Sequence, residues 1–321
     1  MKTTWWVLLV AAVGGGVAGC VMSPHAPVER ARPAAVEILI DGRLELSGWL
    51  ADDEGHVVTA AHGVTGHTNG FTVLWAGGRF SAEVVATDSA HDLALLRVRD
   101  LPGPTPYLEV AEATPAAGSR VWFHGAAEFR HGLTLEGNVA RPEQTFNYYP
   151  NHKWITRCYL VAAPSPPGTS GGPWLDRRGR VVGNQSGYIN TGTAPAGIAL
   201  IAPPAAIRRL VETRRADPPA SLGCGVEELW TQSAGFIRRL PTGLTGLVTI
   251  PIDTNGPVAR AGLNKESVIS RAGAWPLRYS ADLLPALDAH RPGDTLELEV
   301  WTPEQPTSRV VRVTLGEQGG R

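Results

Sequence analysis

Short apolar runs separated by turn residues dominate the chain from residue 36 to residue 187. The first two runs, VEILI (36–40) and LELSGWL (44–50), flank an Asp-Gly pair, and HVVTAA (56–61) follows a second turn. Apolar runs of this length between turn signals predict β-strands, and a long series of them predicts a β-barrel or a β-sandwich. The later runs are FTVLW (71–75), FSAEVVATD (80–88), DLALLRV (92–98), VWFHG (121–125), WITRCYLVAA (154–163) and GRVVGNQSG (179–187).

A helix closes this first region. The segment PPAAIRRLVETRRA (203–216) begins with proline and repeats apolar side chains at helical spacing. Asp217-Pro218-Pro219 then ends the helix, because proline cannot continue one. We therefore predict a first domain over 36–216, a linker over 217–221, a second domain over 222–316 and a tail over 317–321.

The second domain mixes strands with a helix. LVTIPI (247–252), TLELEV (295–300) and TSRVVRVTL (307–315) predict strands. SADLLPALDAH (280–290) starts with a serine cap and predicts a helix. The chain as a whole is therefore expected to be mainly β, ending in a small α+β domain.

The composition argues against several classes of protein. A formal net charge of −1 argues against a general nucleic-acid-binding protein, since such proteins need a basic face. The 37 glycines and 26 prolines among 321 residues argue against a helical bundle. Three cysteines without a C-x-x-C pair exclude a disulfide framework and a zinc knuckle.

The first twenty residues resemble a lipoprotein signal. Lys2 precedes an apolar segment (5–13) that is too short to span a bilayer, and Val17-Ala18-Gly19-Cys20 resembles a bacterial lipobox. The resemblance implies removal of residues 1–19, lipidation of Cys20 and a Pro-rich tether over 20–35. The alternative is an ordinary signal peptide with a chance cysteine.

The turn Pro167-Gly168-Thr169-Ser170-Gly171-Gly172-Pro173 is the strongest chemical signal. To act as a nucleophile, a serine hydroxyl needs a nearby base and hydrogen-bond donors for the oxyanion that forms. The flanking glycines allow a tight turn in which the N–H groups of Gly168 and Ser170 can be these donors. His62, at the end of an apolar run, and Asp92, at the start of another, are the candidates for base and orienting acid. Neighbours on a strand face opposite sides, so His91 is not expected in the site with Asp92.

The motifs TAAH, HDLALL and PGTSGGP, in this order, resemble the chymotrypsin-like double β-barrel serine proteases, and among them the bacterial HtrA (Deg) group. The resemblance covers about 36–216. It implies that Ser170 is the nucleophile, His62 the general base, Asp92 its orienter, and the Gly168 and Ser170 amides the oxyanion hole. It further implies an envelope endopeptidase that cleaves unfolded or misfolded proteins through an acyl-enzyme, without cofactor or metal.

The segments on either side of the nucleophile predict which substrate side chain is preferred. The resemblance implies that one wall of the specificity pocket is formed by Pro164 and Ser165. It implies that the other wall is formed by Ser186, Gly187 and Tyr188. Pro164 stands where an acid would select lysine or arginine, so a small or medium apolar side chain is expected. Thr169 departs from the usual Asn or Asp of the family, a position that contributes backbone geometry more than chemistry.

The second domain resembles a bacterial PDZ domain over nearly all of 222–316, most closely at TNGPVARAGL (254–263) and RPGD (291–294). A PDZ domain binds a peptide as an added strand and captures its C-terminal carboxylate. The expected groove is lined by Leu222, Gly223, Cys224, Gly225 and Val226 and walled by the helix near 281–289. The expected partners are polypeptide substrates, exposed C-termini and, through Cys20, a membrane. Related proteins often form homo-oligomers.

Alternatives remain for each signal. Gly168–Gly172 also satisfies the G-x-S-x-G pattern of α/β-hydrolases, but that fold needs the order serine, acid, histidine. His56, His62 and His67 lack the acid or cysteine set of a metal site, and Cys158 reads as a core residue. At the level of function, the alternative is a peptide-binding or chaperone-like envelope protein whose protease site is silent.

Overall fold

A computed structural model describes residues 26–67, 70–128, 130–149, 154–191, 194–215, 218–251 and 254–318. The first six strands form a closed antiparallel barrel in the order β1-β2-β3-β6-β5-β4. Its interior is filled by large apolar side chains such as Ile38, Trp49 and Leu95, all of them fully buried. The strands are β1 (Ala35–Ile40), β2 (Arg43–Leu50), β3 (His56–Thr59), β4 (Phe71–Trp75), β5 (Gly78–Asp88) and β6 (Leu93–Val98).

The next six strands form a second closed barrel in the order β10-β11-β12-β9-β8-β7. Phe123, Tyr159, Trp174 and Ile201 fill its core. The strands are β7 (Arg120–Ala127), β8 (Arg130–Tyr149), β9 (Trp154–Ala162), β10 (Pro173–Leu175), β11 (Val181–Thr191) and β12 (Ala194–Ala202).

Strand β8 is 20 residues long and was not predicted. Its sequence contains Pro142, which normally marks an edge strand or a break, because proline cannot donate to a ladder. The strand accommodates the proline in an irregular stretch, since its pairing with β9 shifts register between Arg141 and Thr145. The hairpin that β8 and β9 form contacts the C-terminal part of the chain, since Phe146 packs against the apolar core there.

Residues 26–34 differ from the predicted tether. Ala26–Ala31 form helix α1, residues 32–34 form a 3-10 turn, and the turn carbonyl of Pro33 accepts a hydrogen bond from Trp75 Nε1 at 2.8 Å. Val28, Ala31 and Ala34 are buried, because small apolar residues three apart lie on one helical face. Cys20, the predicted signal (1–19) and the tether up to residue 25 lie outside the described residues.

Two further helices belong to the double barrel. Helix α2 (Ala61–Val64) follows β3 directly. Helix α3 (Pro204–Thr213) follows β12 and buries Ile207 and Leu210 against the first barrel. Its C-cap, Arg214, adopts the left-handed conformation, and its N–H donates to the carbonyl of Leu210.

A smaller sheet follows, in the order β14-β15-β16-β18-β19 with β17 paired to β16. The prediction of a mainly β chain with a double barrel and a small C-terminal sheet region is confirmed. The elements are β13 (Ala220–Ser221), β14 (Cys224–Glu228), α4 (Ala234–Ile237), β15 (Leu247–Pro251), α5 (Pro257–Arg260), β16 (Val268–Ala272), β17 (Trp275–Pro276), α6 (Leu283–Asp288), β18 (Thr295–Trp301), β19 (Arg309–Thr314) and β20 (Gly316–Glu317).

The predicted linker and tail meet each other, which the sequence did not indicate. β13, from the linker, pairs with β20, whose second residue begins the tail. Arg157 of β9, 3 % exposed, donates to Asp288 at 2.5 Å and to Gln318 Oε1 at 2.9 Å. These contacts join the second barrel to helix α6. Within the described residues, no helix is long and apolar enough to span a membrane.

Candidate active site

His62 is held by two hydrogen bonds to one carboxylate. It lies in α2, whose neighbours Ala61 and Val64 are buried, so the helix is fixed to the barrel. Asp92 Oδ1 accepts from the His62 backbone N–H, and Asp92 Oδ2 lies 2.7 Å from His62 Nδ1. A carboxylate at Nδ1 favours the tautomer with its proton there, which leaves Nε2 as an acceptor.

Asp92 is buried at the end of the loop that enters β6. It adopts a left-handed conformation (φ 54°) and is 1 % exposed. Its neighbour His91 points elsewhere and places Nδ1 2.8 Å from Asp88 Oδ2. The two side chains therefore have different hydrogen-bond partners, although both residues precede β6, so strand alternation is not the cause.

The environment raises the pKa of His62 above 6.5. Burial lowers this pKa, because an imidazolium loses solvation inside the protein. The charge of Asp92 and its hydrogen bond to the ring stabilise the protonated form and outweigh burial. His62 is therefore a stronger base than an isolated imidazole.

Ser170 reaches Asp92 through Ser186. The Ser170 hydroxyl donates to the Ser186 carbonyl at 3.4 Å, and the Ser186 hydroxyl donates to Asp92 Oδ2 at 2.5 Å. Hydrogen bonds thus connect His62, Asp92, Ser186 and Ser170. From the sequence, Ser186 was expected only in a pocket wall, because no local pattern marks its contact with a carboxylate 94 residues away.

The turn around Ser170 requires glycine at two positions. Gly168 and Gly171 have φ of 92° and 86°, a region that disfavours other residues. A Cβ at position 171 would lie 2.2 Å from Thr59 Oγ1 and 2.3 Å from the Ser47 carbonyl. The Ser170 segment is consequently pressed against the first barrel.

Polar contacts cross the predicted specificity pocket. Gln185 Nε2 donates to Ser165 Oγ and to the Gly187 carbonyl, both at 2.7 Å. Ser165 is itself buried, whereas Pro164 is exposed and Tyr188 half-buried. The two predicted walls are thus joined by Gln185, a residue that the sequence analysis did not name.

The predicted groove of the second domain lies against the second barrel. Leu222, Cys224, Gly225 and Val226 line a cavity of about 20 Å³ together with Leu283 and Leu287 of α6. Phe146 and Ile155, from the β8–β9 hairpin, line the same cavity. Gly223 sits beside Pro257 at a φ of 65°. The hairpin therefore covers the groove.

An acidic cluster on the first barrel is paired with the side chain of an arginine. Ligand atoms of Asp52, Glu54 and His56 lie within 4.8 Å of one another. Asp52 Oδ2 is 2.6 Å from His56 Nδ1, an acid partner that the sequence analysis had not assigned to this histidine. Arg214 lies 3.0 Å from Glu54 and 3.8 Å from Asp52, so its guanidinium offsets the negative charge.

Cys158 is buried in the second barrel and accepts a hydrogen bond from Asn147 Nδ2. Burial raises the pKa of the thiol to about 12. The thiol is therefore protonated at neutral pH and is a poor nucleophile.

The double barrel is similar to a domain found in known peptidases. Residues 46–183 match the family model of the trypsin-like peptidase domain. The solved HtrA-type protease AlgW with a decapeptide shares the fold, with a TM-score of 0.68 and 18 % identity over 93 % of this chain and 100 % of that one. The serine endoprotease from Yersinia pestis gives a TM-score of 0.61 and 20 % identity over 92 % and 98 %.

Curated relatives point to the same group. A probable periplasmic serine endoprotease, DegP-like, from Rhizobium meliloti is 25 % identical over 81 % of this chain and 51 % of its own length. A Do-like HtrA serine protease from Lactococcus lactis is 26 % identical over 77 % and 64 %. The chain spans about half the length of the first of these relatives. The chain is similar in sequence to these HtrA- and DegP-like proteases, and its double barrel has the fold of the solved HtrA-type structures.

Proposed function

We propose that the protein is a serine endopeptidase. The observation that carries this proposal is the connected set of contacts through His62, Asp92, Ser186 and Ser170. His62 has its Nδ1 against a buried carboxylate, and Ser170 lies in a glycine turn on the opposite barrel. This arrangement supplies a base, an orienting acid and a nucleophile from three separate elements.

In the proposed reaction, Ser170 Oγ attacks the scissile carbonyl while His62 Nε2 accepts its proton. The N–H groups of Gly168 and Ser170 stabilise the oxyanion. Collapse of the tetrahedral intermediate breaks the peptide bond, and His62 returns the proton to the leaving amine. Water then hydrolyses the acyl-enzyme by the same route. Asp92 keeps the imidazole in the required tautomer.

The test combines labelling with cleavage. The wild-type protein should react with an organophosphonate serine probe and cleave a denatured protein substrate. Ser170→Ala should not label, and its kcat should fall by several orders of magnitude. Ser81→Ala, a serine on the exposed strand β5, is the matched control and should behave as wild type. Cleavage by Ser170→Ala at the wild-type rate would reject the proposal.

The silent, peptide-binding alternative makes a different prediction in the same assay. A protein of that kind would bind denatured substrate but leave the probe unreacted at Ser170. The link from Ser170 through Ser186 to the carboxylate that orients His62 favours the enzyme, because it brings the candidate nucleophile, base and acid into one hydrogen-bonded set.

We propose unfolded polypeptides as substrates, and exposed C-termini as ligands of the second domain. The similarity to periplasmic serine endoproteases supports an envelope location. Faster cleavage of a denatured protein than of its native form would support this substrate class. Equal rates for the two forms would count against it.

We also propose that Cys20 carries a lipid anchor, a role that rests on the lipobox resemblance. Cys20→Ser should move the protein from the membrane fraction to the soluble fraction, because acyl chains supply the binding energy. Ser23→Ala is the control and should stay with membranes. Unchanged fractionation of Cys20→Ser would contradict the anchor.

A further inference from the structure

Ser47 of β2 joins the first barrel to the turn that contains Ser170. It is fully buried. Its hydroxyl donates to the Gly168 carbonyl at 2.9 Å and accepts from the Ala126 N–H at 2.8 Å. Its backbone N–H donates to the Ser170 carbonyl, also at 2.9 Å. One residue on the first barrel thus holds two carbonyls of the turn.

The Ser47 hydroxyl has two possible acceptors and donates to the closer one. The Ala126 carbonyl is a second acceptor, but it lies 3.2 Å from Ser47 Oγ. A hydroxyl has one proton, and the shorter distance assigns it to Gly168. The Ala126 N–H donates a hydrogen bond to the same oxygen, and this second bond restrains the hydroxyl further.

The remaining carbonyls of the turn are held as well. The Pro167 carbonyl accepts from the Glu128 N–H at 2.8 Å, and the Thr169 carbonyl accepts from the Gly172 N–H at 3.0 Å. With the two bonds from Ser47, each carbonyl from Pro167 to Ser170 therefore has a donor. No cis peptide interrupts the described chain.

Fixing these carbonyls fixes the N–H groups. In a planar trans peptide, the C=O and the following N–H point in opposite directions. The N–H of Gly168 is therefore directed away from Glu128, and the N–H of Ser170 away from Gly172. Gly168 has no side chain to restrain its backbone, so its orientation depends on the hydrogen bonds at either end.

The packing around Ser47 leaves its hydroxyl little freedom. A Cβ at Gly125 would lie 2.6 Å from Ser47 Oγ, and a Cβ at Gly172 would lie 3.1 Å from Ser47 Cβ. Two glycines thus accommodate the serine from either side. Thr59 Oγ1 also donates to the Ser47 carbonyl at 2.8 Å, which secures the backbone of β2 at this point.

We propose that Ser47 is a positioning residue for the reaction. Its hydroxyl holds the peptide group that joins Gly168 to Thr169. This group lies between the two peptide groups that carry the N–H groups of Gly168 and Ser170, so holding it keeps those two N–H groups convergent on the oxyanion. This role rests on the endopeptidase function proposed above. Ser47 acts through the turn and does not touch the substrate.

The test uses the full chain with Ser47→Ala, which removes the hydroxyl and keeps the N–H bond to Ser170. We expect kcat to fall about tenfold to hundredfold, less than the roughly 10²- to 10³-fold loss on deleting an oxyanion donor. KM should stay within about twofold, since the lost interaction acts in the transition state. Affinity for a peptide boronate, which forms a tetrahedral adduct, should fall by the same factor as kcat.

Thr105→Val is the matched control for loss of a buried hydrogen bond. Thr105 is buried in the segment between β6 and β7, and its hydroxyl donates to the Asp52 carbonyl at 2.9 Å. This variant should lower the melting temperature without changing kcat or boronate affinity. Ser47→Ala should change all three, because it leaves the Gly168 carbonyl and the Ala126 N–H without their partner.

The outcomes separate the two proposals. Wild-type protein that neither labels nor cleaves rejects the endopeptidase function itself. Wild-type protein that cleaves, with Ser47→Ala equal to it in kcat and boronate affinity, rejects only the role of Ser47. If Ser47→Ala does not melt cooperatively, Ser47→Cys decides, because a thiol is a weaker donor of similar size. Full kcat in that variant would overturn the inference.

Discussion

His62 and Asp92 act as one unit, and their electrostatics sets the pH dependence of the proposed reaction. The carboxylate is buried and accepts hydrogen bonds from the imidazole, from the His62 backbone and from Ser186. Such charge-assisted hydrogen bonds are stronger than neutral ones. The charge of the carboxylate raises the pKa of His62.

We predict that kcat/KM rises with pH through a midpoint above 6.5. The neutral imidazole is the active base and is the form present above the pKa, which Asp92 raises. Asp92→Asn removes the charge, so the His62 midpoint should fall below the wild-type value in a ring-proton NMR titration. The kcat of this variant should drop by about 10⁴-fold, because the tautomer is lost. An unchanged midpoint in Asp92→Asn would contradict this account.

At the scale of elements, the β8–β9 hairpin has the most unexpected position. Phe146 lines the groove cavity next to α6, and the Arg157 guanidinium lies 5.7 Å from the centre of its ring. The phenyl ring packs against the apolar core of the second domain. A peptide in the proposed groove therefore competes with this side chain.

We predict that Phe146→Ala strengthens binding of a fluorescent peptide with an apolar C-terminal residue. The expected gain in affinity is about tenfold, because the peptide no longer has to displace an aromatic side chain. Fluorescence polarisation measures it on the full chain. Tyr148→Ala, an exposed aromatic on the same strand, is the control and should leave the affinity unchanged. Equal affinity for wild type and Phe146→Ala would show that the hairpin does not block the groove.

Nine of the twelve barrel strands were predicted from the sequence, and β8, β10 and β12 were not. β1 to β7 carry local alternation or apolar runs between turn residues. β8 contains Pro142, and residues 26–34 are rich in proline and alanine, so local preference argued against their observed structure. In each case, pairing with a neighbouring strand or burial of one small face outweighed that preference.

At the scale of the whole molecule, one buried arginine connects the second barrel to the second domain. Arg157 contacts Asp288, Gln318 and the Ala220 carbonyl, and Gln318 also donates to the Ile155 carbonyl. Burial lowers the pKa of Arg157, partly offset by Asp288. The guanidinium stays charged, and its stability in the interior depends on these partners.

We predict that Asp288→Ala lowers the free energy of unfolding by about 1–2 kcal/mol. The loss leaves a buried guanidinium with one partner fewer, but 59 % of the Asp288 side chain is exposed, so the cost is below that of a fully buried pair. Urea denaturation followed by tryptophan fluorescence measures it.

The control is Glu304→Ala, whose exposed ion pair with Arg239 contributes little, so stability should change by less than about 0.5 kcal/mol. A loss in Asp288→Ala no greater than in this control would refute the structural role of the Arg157 contact.

The sequence alone determined the mainly β architecture and the three motifs with His62, Asp92 and Ser170, and the resemblance that these motifs carry implied the double barrel. These features are local, because strand periodicity and turn chemistry act over a few neighbouring residues. Only the tertiary structure decided which distant residues support them. Ser186 meets Asp92 across 94 positions, Ser47 meets Gly168 across 121, and Phe146 lines a cavity with Leu222 and helix α6. Contacts of this kind depend on barrel closure and on domain packing, which no short stretch of sequence records.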